Sequence, residues 1–115
     1  MKKDPNVFIG HILDSIHEIE NYTKKLTKKE FSISKMAQDA VIRRIEIIGE
    51  AVKNLPNDFK TKHKKIPWRD IAGMRDILIH EYFGVNIEVV WKTIKEDIPL
   101  LKRQISSLAE QQKAF

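Results

Sequence analysis

Between Ile87 and Leu108 the large apolar residues Ile87, Trp91, Ile94, Ile98, Leu101, Ile105 and Leu108 alternate four and three positions apart. That spacing brings each side chain back to one face of an α-helix, whereas a half-buried strand needs a period of two. Pro99 falls inside the run and predicts a kink near Lys95, because proline has no N–H to donate and its ring crowds the carbonyl one turn back. The same reading extends upstream. Asp4-Pro5 is an N-cap followed by proline at the first helical position, with Ile9, Ile12, Ile16, Ile19 and Leu26 behind it, which predicts a helix over about 5–28. Ser32 or Ser34 caps a second helix carrying Ala37, Val41, Ile45, Ile48, Val52 and Leu55, and Leu55-Pro56-Asn57 stops it. Ile42 and Ile47 lie off its main stripe, so this helix is central in the fold or covered by a second chain. Pro67-Trp68 starts a third helix with Ile71, Met74, Leu78 and Ile79 on its apolar side; Gly84 is a turn, and Asn86 caps the last helix. No segment sustains a period of two. The expected architecture is an all-α bundle of four principal helices.

Composition narrows the function classes. In 115 residues there is no cysteine, which removes disulfide scaffolds, thiolate metal sites and cysteine nucleophiles. The first residues, Met1-Lys2-Lys3-Asp4-Pro5, are not followed by an unbroken apolar stretch, and no apolar run nears the roughly 18 residues of a membrane span, so a cytoplasmic domain is expected. The net charge of +5 favours polyanions and is dispersed, with one local run at Lys60, Lys62, Lys64 and Lys65 around His63. That run is either a solvated loop or an electrostatic guide for a phosphate backbone. His11 and His17 are six apart, on different sides of a helix, and share no metal; there is no Gly-rich phosphate loop. Trp68 and Trp91 are core anchors or base-stacking platforms.

Chemistry concentrates in Met74-Arg75-Asp76-Ile77-Leu78-Ile79-His80-Glu81-Tyr82. On a continuous helix Asp76 and His80, four apart, stack on one face, and Arg75 and Tyr82, seven apart, return within about 20° of each other. A guanidinium, an imidazole oriented by a carboxylate and a phenol form a site suited to phosphodiester chemistry, in which negative charge develops and a proton must move. Surface charges and a helix-end histidine are the competing account.

The spacing Arg75, four residues, His80, one residue, Tyr82 resembles the R-x4-H-x-Y signature of HEPN-domain ribonucleases, in particular the HepT-like toxins of HEPN/MNT toxin–antitoxin pairs. Val41-Ile42-Arg43-Arg44-Ile45-Glu46-Ile47-Ile48-Gly49-Glu50-Ala51 resembles the family's second helix, which ends in Gly-Glu-Ala. Ile66-Pro67-Trp68 followed by Ile71-Ala72-Gly73-Met74-Arg75 resembles the entry to its motif helix, and Val90-Trp91 the start of its last helix.

Across residues 1–115 the resemblance implies a single HEPN-type up-and-down bundle of four to five helices. It also implies a homodimer whose motif helices face each other, and a metal-independent endoribonuclease without cofactor. Such an enzyme cuts RNA by attack of the substrate's own 2′-hydroxyl, leaving a 2′,3′-cyclic phosphate and a 5′-hydroxyl. His80 would be general acid or base and Arg75 would bind the scissile phosphate, with Asp76 in support. Tyr82 would be the residue to which a nucleotidyltransferase antitoxin of the MNT type adds AMP, or else a substrate contact. From the residues themselves, Gly49 allows close approach of backbones within one chain or between two. Arg43, Arg44 and Glu50 suit interhelical ion pairs better than site-flanking roles. A non-catalytic helical adaptor that binds a nucleotidyltransferase is the alternative function.

Overall fold

Helix α1 (Pro5–Thr23) begins where proline-led capping places it: the Asp4 carboxylate accepts the Asn6 N–H at 2.9 Å and Pro5 occupies the first turn, where no donor is needed. The computed structural model describes residues 4–80 and 84–113. Helix α1 is shorter than its apolar pattern suggests, because Thr27 opens a new helix, α2 (Lys28–Ile33). The Thr27 hydroxyl accepts the Glu30 N–H and the Glu30 carboxylate accepts the Thr27 N–H, at 3.1 and 2.9 Å. This reciprocal capping box satisfies two orphan amides at once, and it holds the Glu30 carboxyl below its ordinary pKa. Ser34 then caps α3 (Lys35–Asn54), accepting from Ala37 N–H at 3.1 Å.

The lysine run falls on α4 (Asn57–Lys62) and the loop after it. The helix led by Pro67-Trp68 is in two pieces, α5 (Trp68–Ala72) and α6 (Met74–Leu78), parted at Gly73. The last helix is α7 (Ile87–Lys92), capped by Asn86, then a π-helical turn at Thr93–Asp97, then α8 (Ile98–Lys113). The π-turn is the form taken by the expected kink. Pro99 has no N–H for the Lys95 carbonyl, and the Ile98 N–H reaches back five residues to Thr93, widening the coil before the ring.

Helix α3 is the hub. It packs most extensively on α1 and also against α2, α5 and α6, while α8 closes over α1. Ile9, Ile12, Ile16 and Ile19 meet Val41, Ile45, Ile48 and Val52, with Val90, Ile98, Leu101 and Ile105 completing a core of almost fully buried side chains. Of the two residues off the main stripe, Ile42 is buried within the single chain and Ile47 is partly exposed. The Lys102 ammonium and Glu20 carboxylate, 3.0 Å apart, fasten α8 to α1. The chain is thus an all-helical bundle, with one two-residue antiparallel pairing of β1 (Ile79–His80) and β2 (Gly84–Val85), Ile79 opposite Val85 and His80 opposite Gly84. Gly84, expected as a turn, is instead extended as the first residue of β2. Among the described residues no helix is long and apolar enough to cross a membrane.

At Gly49 the backbones of α3 and α5 come close together. A Cβ there would lie 3.0 Å from the Ala72 carbonyl oxygen, whereas one at Gly10 would have nothing within 4 Å. The close approach is within one chain. Alanine gains about 1 kcal/mol over glycine in a helix interior, while overpacking against backbone costs about 1–3 kcal/mol. Thermal melts should therefore separate two identical substitutions: Gly10→Ala raises the midpoint and Gly49→Ala lowers it by several degrees.

Candidate functional site

Arg75 lies in the first turn of α6, on a bundle face shared with α3. Its Nε is 3.6 Å from the Glu46 carboxylate and its Nη1 is 3.7 Å from that of Asp76. Both separations exceed a good hydrogen bond, so these are loose ion pairs that bias the guanidinium without saturating its five donors. The guanidinium is about half exposed, and it borders a cavity of about 440 Å³ lined also by Arg43, Glu46, Glu50, Lys53 and Asp76, with Gly49 and Ala72 at the helix contact. Three cations and three carboxylates make this cavity electrically balanced. An approaching phosphate would exchange with Glu46 and Asp76 for Arg75, an exchange available to a guanidinium fork that can bind phosphate bidentately.

The motif does not form one continuous helix. Helix α6 ends at Leu78, and His80 is in extended backbone on β1, so the four-residue helical stacking of Asp76 on His80 does not arise. The Asp76 carboxylate is turned to Arg75. Tyr82 lies outside the described residues, and the helical phase expected to return it to Arg75 ends with α6. Arg43 and Glu50 flank the cavity instead of making interhelical pairs: Glu50 pairs within α3 with Lys53 at 3.9 Å, and neither Arg43 nor Arg44 has a carboxylate at ion-pair distance among the described residues. The interhelical partner is Glu46, which sequence reasoning missed. The signal was there, in a lone acid between Ile45 and Ile47, one helical turn before Gly49.

The lysine run divides. The Lys60 ammonium donates to the Val52 carbonyl at 3.3 Å, tying α4 to α3. Lys62, Lys64 and Lys65 line a second cavity of about 370 Å³ together with His63, Ile66 and, from α8, Gln104, Ser107 and Leu108. Trp68 is a core anchor, buried and donating its indole N–H to the His63 carbonyl at 3.1 Å. Trp91 lies between the Phe31 ring, 5.5 Å away, and the Lys95 ammonium, 4.6 Å from its centroid. Among the described residues no three His, Asp or Glu side chains are grouped as a metal site requires.

Burial, and then the charge of Lys62, hold the His63 imidazole below its ordinary pKa of 6.5. Its Nε2 is buried without a hydrogen-bond partner, so a proton there gains no acceptor to offset the desolvation. The unfolded chain accepts this proton more readily than the folded one. The stabilisation is complete above about pH 6.5 and is lost as pH falls through the lower folded value. Melting at about pH 7.5 and about pH 5.5 should show a larger drop for the parent than for His63→Gln.

The fold is thus a helical bundle with a charge-balanced cavity lined from α3, α5 and α6 and bordered by Arg75, and with His80 in extended backbone after α6. The family model described as "Ribonuclease HepT-like" matches residues 12–108, and the chain belongs to that family. It is 51% identical over 108 residues to "Probable ribonuclease HepT" of Thermococcus cleftensis, covering 94% of this chain and 98% of the relative. It is 44% identical over 111 residues to a "Putative RNase" of Caldanaerobacter subterraneus subsp. tengcongensis, covering 96% and 99%. A Methanocaldococcus jannaschii protein named "Gamma-glutamylcyclotransferase and putative RNase" is 54% identical over 111 residues, covering 96% of this chain, which spans only 50% of that relative's length. No solved structure matches the chain.

Proposed function

We propose that this protein is the toxin of an HEPN/MNT toxin–antitoxin pair, a cytoplasmic, metal-independent endoribonuclease that acts as a homodimer. The observation that carries the reading is the half-exposed Arg75 guanidinium, loosely held by Glu46 and Asp76 at the edge of a cavity, five residues ahead of His80 in a HepT-like ribonuclease domain. In the reaction the substrate's 2′-oxygen attacks the adjacent phosphorus, and the bond to the 5′-oxygen breaks. The 2′-hydroxyl gives up its proton and the leaving 5′-oxygen takes one. His80 serves in one of these transfers, since an imidazole is usable in both protonation states near neutral pH. Arg75 offsets the charge that builds on the phosphoryl oxygens, and Asp76 positions Arg75. Addition of AMP to Tyr82 by a cognate nucleotidyltransferase would place a bulky anion two residues from His80 and silence the enzyme.

The test is incubation of purified protein with cellular RNA in EDTA, beside Arg75→Ala and His80→Ala. The parent is expected to cut, leaving cyclic phosphate ends, and each variant to lose at least about 100-fold in rate, the usual scale of a general acid–base contribution. Activity equal to the parent in either variant overturns the role given to that residue. An uncut substrate with an unmodified Tyr82, checked by mass spectrometry, favours the adaptor reading instead.

A further inference from the structure

The cavity around Arg75 carries equal numbers of cations and carboxylates, so it supplies little net attraction for a polyanion. The cleft between the α4–α5 loop and α8 differs in kind. Lys62, Lys64 and Lys65 converge on it, its lining contains no carboxylate, and none of the three has an ion-pair partner among the described residues. Three lysines on one cleft whose lining holds no carboxylate leave a positive charge that a bound anion would offset. The cleft is also more than a basic patch. Ile66 and Leu108 add apolar surface to its lining, and α8 contributes Gln104 and Ser107, an amide and a hydroxyl, across from the lysine-bearing loop. Apolar surface, a side-chain amide and a hydroxyl beside cations are what a nucleotide unit requires, with the base on the apolar surface and the phosphate on the ammonium groups.

We propose that this cleft is a second RNA contact, holding one unpaired nucleotide of the substrate and its flanking phosphates away from the cut bond. The inference rests on the ribonuclease reading for the identity of the polyanion, and it adds that the substrate is single-stranded at this point, since a paired base cannot leave its stack to reach Ile66 and Leu108. Lys60 takes no part, because it does not line the cleft and its ammonium is turned to the Val52 carbonyl. The cleft supplies affinity and Arg75 supplies chemistry.

Binding of a fluorescent single-stranded RNA, fully 2′-O-methylated so that it cannot be cut, separates this inference from the catalytic one. Titrations over a range of salt compare the parent with Lys62→Gln/Lys64→Gln/Lys65→Gln and with a control of equal charge change, Lys24→Gln/Lys25→Gln/Lys29→Gln, whose lysines are exposed elsewhere. The slope of log K against log salt should flatten by about 0.7 for each phosphate that is no longer neutralised, so by about 2 for the cleft variant, with affinity at least about tenfold weaker; the control should change neither appreciably. Ser107→Trp, which fills the cleft without changing charge, should also weaken binding, and the same strand annealed to its complement should bind the parent less well. Equal behaviour of the two triple variants, undiminished binding by Ser107→Trp, or equal affinity for the duplex overturns the proposal. With unmodified RNA the cleft variants should raise KM and leave kcat unchanged. A parent that binds through the cleft but never cuts would defeat the catalytic reading and leave this one standing.

Discussion

The contact between Gly49 and the Ala72 carbonyl sets the distance between α3 and α5, and much of the candidate site follows from it. Glu46 is one helical turn before Gly49 and Arg75 is three residues after Ala72, so the close approach also brings the carboxylate and the guanidinium together. A side chain at position 49 would push the helices apart where only a few tenths of an ångström are available. The ion pair itself is half exposed and worth little in stability. Its service is orientation, and that orientation depends on backbone packing.

One cavity is charge-balanced and the other cationic, and in the proposed reading they divide what cleaving a polyanion and binding it demand. A strongly cationic catalytic centre would hold any phosphate firmly, stabilising the ground state along with the transition state. In the proposed reading the balanced set around Arg75 would avoid this: a phosphate would gain the guanidinium only by displacing Glu46 and Asp76, and would gain most as negative charge builds on its oxygens. Net positive charge is concentrated instead at Lys62, Lys64 and Lys65, where in the proposed reading it would contribute affinity away from the cut bond.

Most of the fold was legible in residue spacing. The caps at Asp4 and Asn86, the choice of Ser32 or Ser34 that the structure resolves to Ser34, the stop at Leu55-Pro56 and the long apolar faces of α1, α3 and α8 all follow from side-chain periodicity and hydrogen-bonding chemistry. The miss at the end of α1 came from weighing Leu26 as a continuation of the apolar stripe when Thr27 and Glu30, three apart, already spelled a capping box. The surplus apolar surface of α3 reads equally as a second-chain interface or as contact with four other helices, and periodicity does not distinguish them. The Arg75–Glu46 pairing spans 29 positions of chain and depends on a tertiary contact, which helical phase within one segment does not encode.

The break in the motif helix has its own logic. Residues five apart on a continuous α-helix are separated by about 140° around the axis, so an unbroken helix from Arg75 to His80 would hold the guanidinium and the imidazole on largely different sides. Ending α6 at Leu78 and continuing as extended backbone, paired through β2, removes that constraint. The five-residue offset is therefore not a helix-face pattern in this protein. Arg75 is placed by a helix that α3 positions, His80 by a short backbone pairing with Gly84, and the two can be adjusted independently. Gly84 carries no side chain, so the pairing rests on backbone alone and makes no demand on the residue type that stands opposite it at position 80.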